Sequence, residues 1–546
     1  MEAFLKKPAV AVSVLILICG YLFFFQLGKL SLTDPDETFY AQTAKEMLVK
    51  NEWVTPYLYG KPQFEKPILF YWLVEASFKA FGVNEAAARL PSALFGTAGI
   101  VAIFFLGSLL FNRMTGFLSA LILATNVEYI ILSRACITDM VLFVFLLLGA
   151  LFFFYGYRKE KSYFYLLSAA AIAMATLTKG PVYLALFAVT VLAFLFFAKD
   201  LKALKRIPLL TAAFVVILIT LPWYLAIYKL HGTAFIDGFF GFHNVNRFLV
   251  SEHKIGSQIY YNIPIIFGGM FPWSAFLPVG LWYMFKKARN NSKEAMFLLV
   301  WFVAIFGFFT ASSTKLPTYI FPCFFSIAVI VGSLLDAFLR SDTASAITKG
   351  TRISYYILIV IMLLGWIGGA IYAKLDFPSI LGGVVASSLF LVFGAVLSLI
   401  AFMHKRYFIA LVFIGYSVAL FLYPASTLLL PDVERYETSK EVSQKLLTMM
   451  RPEDRIGSES NHLAGLAFYT GKFPVDLDKH HNQIQFMNSE DRIWVVMKEK
   501  NLKHLYDPQI TKTGVAPSYM VYKLGKRAIA TNQMPADGKY IIKRER

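Results

Sequence analysis

Three acids sit together in LTDPDETFYAQ (32–42): Asp34, Asp36 and Glu37, directly after an apolar run from Pro8 to Leu30. A carboxylate can take a proton from an attacking hydroxyl or orient a nucleophile. Asp34, Pro35 and Glu37 also have the spacing of a helix start, with Asp34 as N-cap, Pro35 in the first turn and Glu37 completing a capping box. That explains Asp34 and Glu37 and leaves Asp36 divided evenly between helix start and catalyst. Cations that could meet a phosphate follow further along. FEKP places Glu65 beside Lys66, GFHNVNRF places His243 four residues before Arg247, and STKLPTY places Lys315 four residues before Tyr319. SRACITDM adds Arg134 and Asp139. Each has a plainer structural reading. Lys66 and Lys315 precede or approach a proline and suit a lysine reaching up from a membrane surface. Arg134 and Asp139 suit a salt bridge closing a hairpin. His243 and Arg247 would share a helical face.

The elements that must position these residues are membrane helices. Of 546 residues, 58% are hydrophobic and only 16% charged, against about 25% charged in soluble domains. About thirteen apolar stretches are long enough to span a bilayer: 8–30, 87–111, 115–133, 138–156, 163–179, 180–198, 207–229, 262–284, 294–311, 317–339, 354–373, 379–403 and 407–425. With the amino terminus inside, most basic loop residues fall on the inner side, among them Arg158, Lys159, Lys202, Lys205, Lys286, Lys287 and Arg289. The net charge of +18 is therefore a topology signal, and no nucleic-acid partner is implied. Residues 1–30 read as a retained anchor, since the run is long and lacks an A-x-A cleavage site. Cys19, Cys136 and Cys323 all fall in spans without C-x-x-C spacing, and imply no disulfide framework.

Most of the candidate charges then lie in loops on the outer face, which suggests a shared outside pocket. The expected fold is a polytopic α-helical membrane domain over 1–426, carrying an outside loop (31–86), followed by a small α/β domain over 427–546 on the same outer side. Within the loop, 67–82 has helical periodicity suited to the interface plane. In the tail, 437–450 reads as a helix, and 454–459, 491–500 and 520–524 carry strands. There is no Walker loop, H-E-x-x-H or G-x-S-x-G, so no nucleotide cofactor is implied.

The combination of an acidic pair after the first span, FEKP, R-x-x-x-x-D before the fourth span, K-L-P-x-Y before a later span and GVNEAAARLPSALFG (82–96) resembles the GT-C glycosyltransferases. The nearest resemblance is to bacterial lipid A aminoarabinose transferases, in the superfamily of protein O-mannosyltransferases. It covers most of the chain and implies a GT-C fold with two interface helices in the first outside loop. It also implies inverting transfer of a sugar from a polyprenyl phosphate to lipid A or another glycolipid, at the outer face of the bacterial inner membrane. Residue by residue, it implies catalysis by Asp36 and Asp139. Lys66, Arg247, Lys315 and Tyr319 would bind the donor phosphate, and Glu65 and His243 would hold a divalent metal such as zinc. Transfer to protein or to core sugars, and a non-enzymatic lipid-linked sugar transporter, remain the alternatives.

Overall fold

The computed structural model describes residues 7–246, 258–340, 346–479, 482, 485–486, 491–498, 519–524 and 527–531. Its contacts divide the chain into two compact units. The first comprises Met1–Leu27, Phe64–Leu73 and Arg89–Thr427; the second comprises Gly28–Gln63, Val74–Ala88 and Leu428–Arg546. Much of the first outside loop, which the sequence grouped with the membrane domain, thus packs within the second unit.

The first unit is a multi-pass helical bundle. Among the described residues, eight helices are long and apolar enough to cross a membrane, or ten if each of two bent pairs forms one span. Pro8–Phe24 and Val182–Phe197 are shorter apolar helices. Each of the thirteen expected stretches contains a helix or a broken helix, but length and apolarity qualify fewer of them as complete spans. Pro317–Arg340 is 94% buried over its apolar window and forms the bundle's centre, whereas Leu209–His231 is only 11% buried. An apolar helix so little covered by protein must face lipid tails.

Close helix approach depends on small side chains, as expected where lipid tails remove the hydrophobic drive between helices. A Cβ on Gly107 would come within 2.8 Å of the Gly116 Cα. One on Gly332 would sit 2.5 Å from the Ser119 hydroxyl and 2.9 Å from its backbone nitrogen.

The bent pairs show how the bundle tolerates interrupted backbone. Arg113–Ala124 and Val127–Ser133 meet at 68°, and Asn262–Gly269 and Trp273–Arg289 meet at 115°. The second break contains Pro272, which has no N–H to continue a helix. The two breaks satisfy each other. Val127 N–H donates to Phe271 O at 3.1 Å, and the Trp273 indole donates to the Thr125 hydroxyl at 2.9 Å. Asn126 caps the helix after the first break through Tyr129 N–H at 2.9 Å. Unpaired backbone in hydrocarbon costs several kcal/mol per group, so such breaks persist only when protein supplies the partners.

The second unit contains a two-residue hairpin, β1 (Tyr57–Leu58) with β2 (Lys61–Pro62), and a five-stranded sheet. The sheet strands are β3 (Arg455–Ser458), β4 (Val475–Asp476), β5 (Ile493–Lys498), β6 (Tyr519–Leu524) and β7 (Arg527–Thr531), in the order β4-β3-β5-β7-β6. β3 runs parallel to both β4 and β5, and β7 is antiparallel to β5 and β6. Ile493–Met497 is buried throughout, the continuous apolar run expected of a strand covered on both faces. Val442, Leu446, Ile456, Leu466, Trp494, Val496 and Ile529 form its core. The helix and three strands expected in the tail are present. Helix Leu463–Thr470 and strands β4 and β7 are additions that periodicity did not reveal, because each is very short or carries no alternation.

Overpacking a tight site typically costs about 1–3 kcal/mol. Gly332→Val should therefore lower the thermal unfolding midpoint in detergent. Gly307→Val, with nothing within 4 Å of its Cβ position, should leave the midpoint close to wild type.

Candidate functional site

The helix carrying the first acids runs Asp36–Lys50, preceded by Pro35, without a side-chain cap from Asp34. The expected N-cap assignment is therefore corrected. Glu37 does take the helix-start role, accepting from Thr33 N–H at 3.0 Å while its own N–H donates to Thr33 O at 3.1 Å. Asp34 turns elsewhere. It accepts from the Thr38 hydroxyl at 2.9 Å and from the Ser439 hydroxyl, and His462 Nδ1 lies 3.4 Å away. These partners are more than four hundred positions distant, except Thr38, so no local pattern could disclose them. Asp34 and Glu37 are buried, whereas Asp36 is exposed on the first turn.

Lys66 Nζ pairs with Glu65 at 2.9 Å, with the side chains 11% and 27% exposed. The lysine is thus largely shielded rather than extended into solvent. Helix Leu69–Phe81 begins just beyond Pro67, close to the expected start. Lys315 is also buried, 6% exposed, in a turn where the Ser312 hydroxyl donates to Thr314 O at 3.0 Å. Tyr319 follows, half-buried, its ring 5.5 Å from that of Phe309.

Asp139 does not close a hairpin with Arg134. It pairs with Lys179 at 2.6 Å, both side chains about one-tenth exposed. Asp139 lies in the first turn of Thr138–Lys159 and Lys179 ends Ser162–Lys179, so each charge also complements its own helix dipole. The Lys179 ammonium stands 5.2 Å from the Tyr319 ring centroid, a cation–π distance. One cluster therefore joins two expected site residues, Asp139 and Tyr319, through a lysine that had been given no role. Its signal was a lysine followed by Gly-Pro at the end of an apolar run. Arg134 instead donates to Leu22 O at 3.1 Å and Phe25 O at 2.8 Å. It satisfies carbonyls that the ending helix Pro8–Phe24 leaves open.

Arg247 lies outside the described residues, as does the side chain of His243, whose backbone belongs to the π-helical segment Ile236–Asn246. A zinc site needs three or four protein ligands. The sequence offered two, and one of them, Glu65, is engaged by Lys66. Among the described residues no three His, Cys, Asp or Glu side chains gather as a metal site. The His243 half of the expected metal pair lies outside the described residues.

Residues 65–225 match the family of dolichyl-phosphate-mannose-protein mannosyltransferases. The chain is 30% identical over 368 residues to an undecaprenyl phosphate-alpha-4-amino-4-deoxy-L-arabinose arabinosyl transferase of Yersinia enterocolitica, covering 65% of this chain and 66% of the relative. It is 28% identical over 427 residues to a protein of Aquifex aeolicus, covering 78% and 79%. A counterpart of the arabinosyl transferase in Pseudomonas fluorescens is matched over 59% of its length, so the chain spans about two thirds or less of the two arabinosyl transferases. The crystal structure of ArnT from Cupriavidus metallidurans bound to undecaprenyl phosphate aligns with a TM-score of 0.78 at 21% identity, over 96% of this chain and 98% of that one. The Archaeoglobus fulgidus oligosaccharyltransferase aligns at 0.55 and 13% identity, over 91% and 70%.

Removing one member of a buried ion pair strands the other, at a cost of about 3–5 kcal/mol. Lys179→Met should therefore destabilise the protein strongly, and adding Asp139→Asn should recover part of the loss. A thermal double-mutant cycle in detergent measures the coupling, and additive effects would show that the pair is not coupled.

Proposed function

From its GT-C membrane fold and its likeness to polyprenyl-phosphate arabinosyl transferases, we propose that this membrane glycosyltransferase moves aminoarabinose, or a closely related sugar, from a polyprenyl phosphate onto lipid A. The reading places the chemistry and the C-terminal unit at the periplasmic face of the inner membrane. The observation that carries it is the separation of the three acids after the first helix. Asp34 and Glu37 are buried and committed to structure, while Asp36 is exposed at the head of its helix.

Bond cleavage at the anomeric carbon leaves negative charge on the polyprenyl phosphate. Preorganised cations lower the barrier by meeting that charge as it develops. Lys66, Arg247 and Lys315 take this role, with Tyr319 beside Lys179 lining the same donor site. Burial strengthens the contribution of Lys66 and Lys315, since charge interactions grow as water is excluded. Asp139 holds Lys179 in place. Asp36 serves the acceptor. For a hydroxyl it accepts the proton as general base; for a lipid A phosphate, already anionic, it orients the attacking group. The donor arrives activated, so no nucleotide is required. Glu65 and His243 would hold a divalent metal where one binds, and the mechanism draws no step through it.

General-base catalysis contributes about 10²–10⁴-fold, so Asp36→Asn should reduce transfer by that order while the thermal midpoint stays near wild type. Intact-mass analysis of lipid A from cells with the gene, without it and with Asp36→Asn tests the proposal. A pentosamine-sized gain requiring both the gene and Asp36 supports it. An unchanged lipid A mass would overturn the acceptor assignment in favour of core sugars, protein or lipid transport. Wild-type transfer by Asp36→Asn would remove Asp36 from the mechanism. Lys66→Ala should weaken use of the donor specifically, seen as a raised donor KM or a lowered kcat/KM.

A further inference from the structure

The buried cluster around Asp34 has no part in the chemistry above, yet it lies two residues before the proposed catalytic acid. Both of its carboxylate oxygens are engaged. Oδ1 receives the Thr38 hydroxyl, at 2.9 Å, from the first turn of the Asp36–Lys50 helix. Oδ2 receives the Ser439 hydroxyl and faces His462 Nδ1 at 3.4 Å. The Asp34 side chain is 1% exposed and that of His462 6%. Burial on this scale is costly for a carboxylate unless hydrogen bonds compensate it. Gly465 completes the enclosure, because a Cβ there would overlap the Asp34 carboxylate.

The neighbouring residues are tied in the same direction. The Ser31 hydroxyl bonds Thr438 at 2.6 Å and also Glu434. Leu32 N–H donates to the Tyr469 hydroxyl at 2.8 Å. Lys45, farther along the helix, donates to Phe468 O at 2.7 Å. Residues 31–34 and the following helix are thus laced to 434–469, all within the second unit.

We infer that Asp34 is a positioning residue: it clamps the start of the Asp36–Lys50 helix to the Ser439, His462 and Gly465 segment and so fixes where Asp36 meets the acceptor. The C-terminal unit then has a role in the reaction, as the template for the catalytic acid's helix. The inference rests on the glycosyl-transfer reading for its catalytic half and on geometry alone for the clamp.

Two measurements on the purified full-length enzyme test these halves separately. Hydrogen exchange reads the clamp without any substrate. Asp34→Ala should accelerate exchange at the amides of residues 37–39 and leave residues 44–48 protected. Steady-state kinetics with a polyprenyl-phosphate aminoarabinose donor read the consequence. A misplacement of about 1 Å can cost up to about 100-fold in rate, so Asp34→Ala should lower kcat by about tenfold or more while donor KM stays within about twofold. Asp34→Asn keeps a hydrogen-bonding group in the pocket and should recover most of kcat, and Ser439→Ala should give an intermediate loss. Unchanged exchange in Asp34→Ala overturns the clamp. Accelerated exchange with unchanged kcat, or a loss that Asp34→Asn does not rescue, overturns the positioning role. If the wild-type enzyme transfers no sugar, the functional reading fails and takes the catalytic half with it, while the exchange result still decides the clamp.

Discussion

A polar group buried within a membrane bundle must find its partner inside the protein, because the hydrocarbon offers none. Much of this architecture follows from that constraint. Among the described residues two apolar helix pairs are sharply bent, and their breaks close on each other through Val127 N–H to Phe271 O and the Trp273 indole to the Thr125 hydroxyl. The open carbonyls after the first helix are taken by Arg134. Asp139 and Lys179 neutralise one another across two helix termini. On physical grounds such pairs add little net stability over apolar packing of similar volume, but they fix geometry, because separating the partners is expensive. An irregular, charged end of the bundle is therefore held rigid without dedicated covalent links.

Burial inside the protein sorts the acids of the loop 31–86, because a carboxylate removed from water needs donors around it. Glu37 is committed to the helix start and Asp34 to Thr38, Ser439 and His462. Only Asp36 of the three is exposed. Three carboxylates within four positions thus differ in burial, and two of them are enclosed by donors from the protein. Helix Asp36–Lys50 packs against helix Leu463–Thr470, so this part of the loop and the tail belong to one compact unit. Much of a loop that looked like an appendage of the membrane domain is in this sense part of the second unit.

Several candidate residues were legible as types at suggestive spacings: Asp36, Glu65, Lys66, Asp139, Lys315 and Tyr319. The ion pair of Glu65 and Lys66 is between neighbours and could be anticipated. The pairing of Asp139 could not. Arg134, five positions away, was the obvious local partner, yet the backbone carbonyls of the first helix claimed it and Lys179, forty positions on, took its place. Lys179 was visible as a charge at membrane depth, but its link to Tyr319 exists only where three helices converge.

The sequence by itself determined what depends on local composition and period: a multi-pass membrane protein, a mixed α/β tail, a helix start beside Asp34 and Glu37 and a helix within 67–82. These are local properties because apolar length and side-chain periodicity are read within a window of a few turns. Only the tertiary structure decided which span sits at the bundle's centre, where two spans break and which charge meets which. Asp34 and His462 are 428 positions apart, and the energy that joins them comes from excluding water around both. That exclusion is a property of the packed core and is not contained in either stretch of sequence alone.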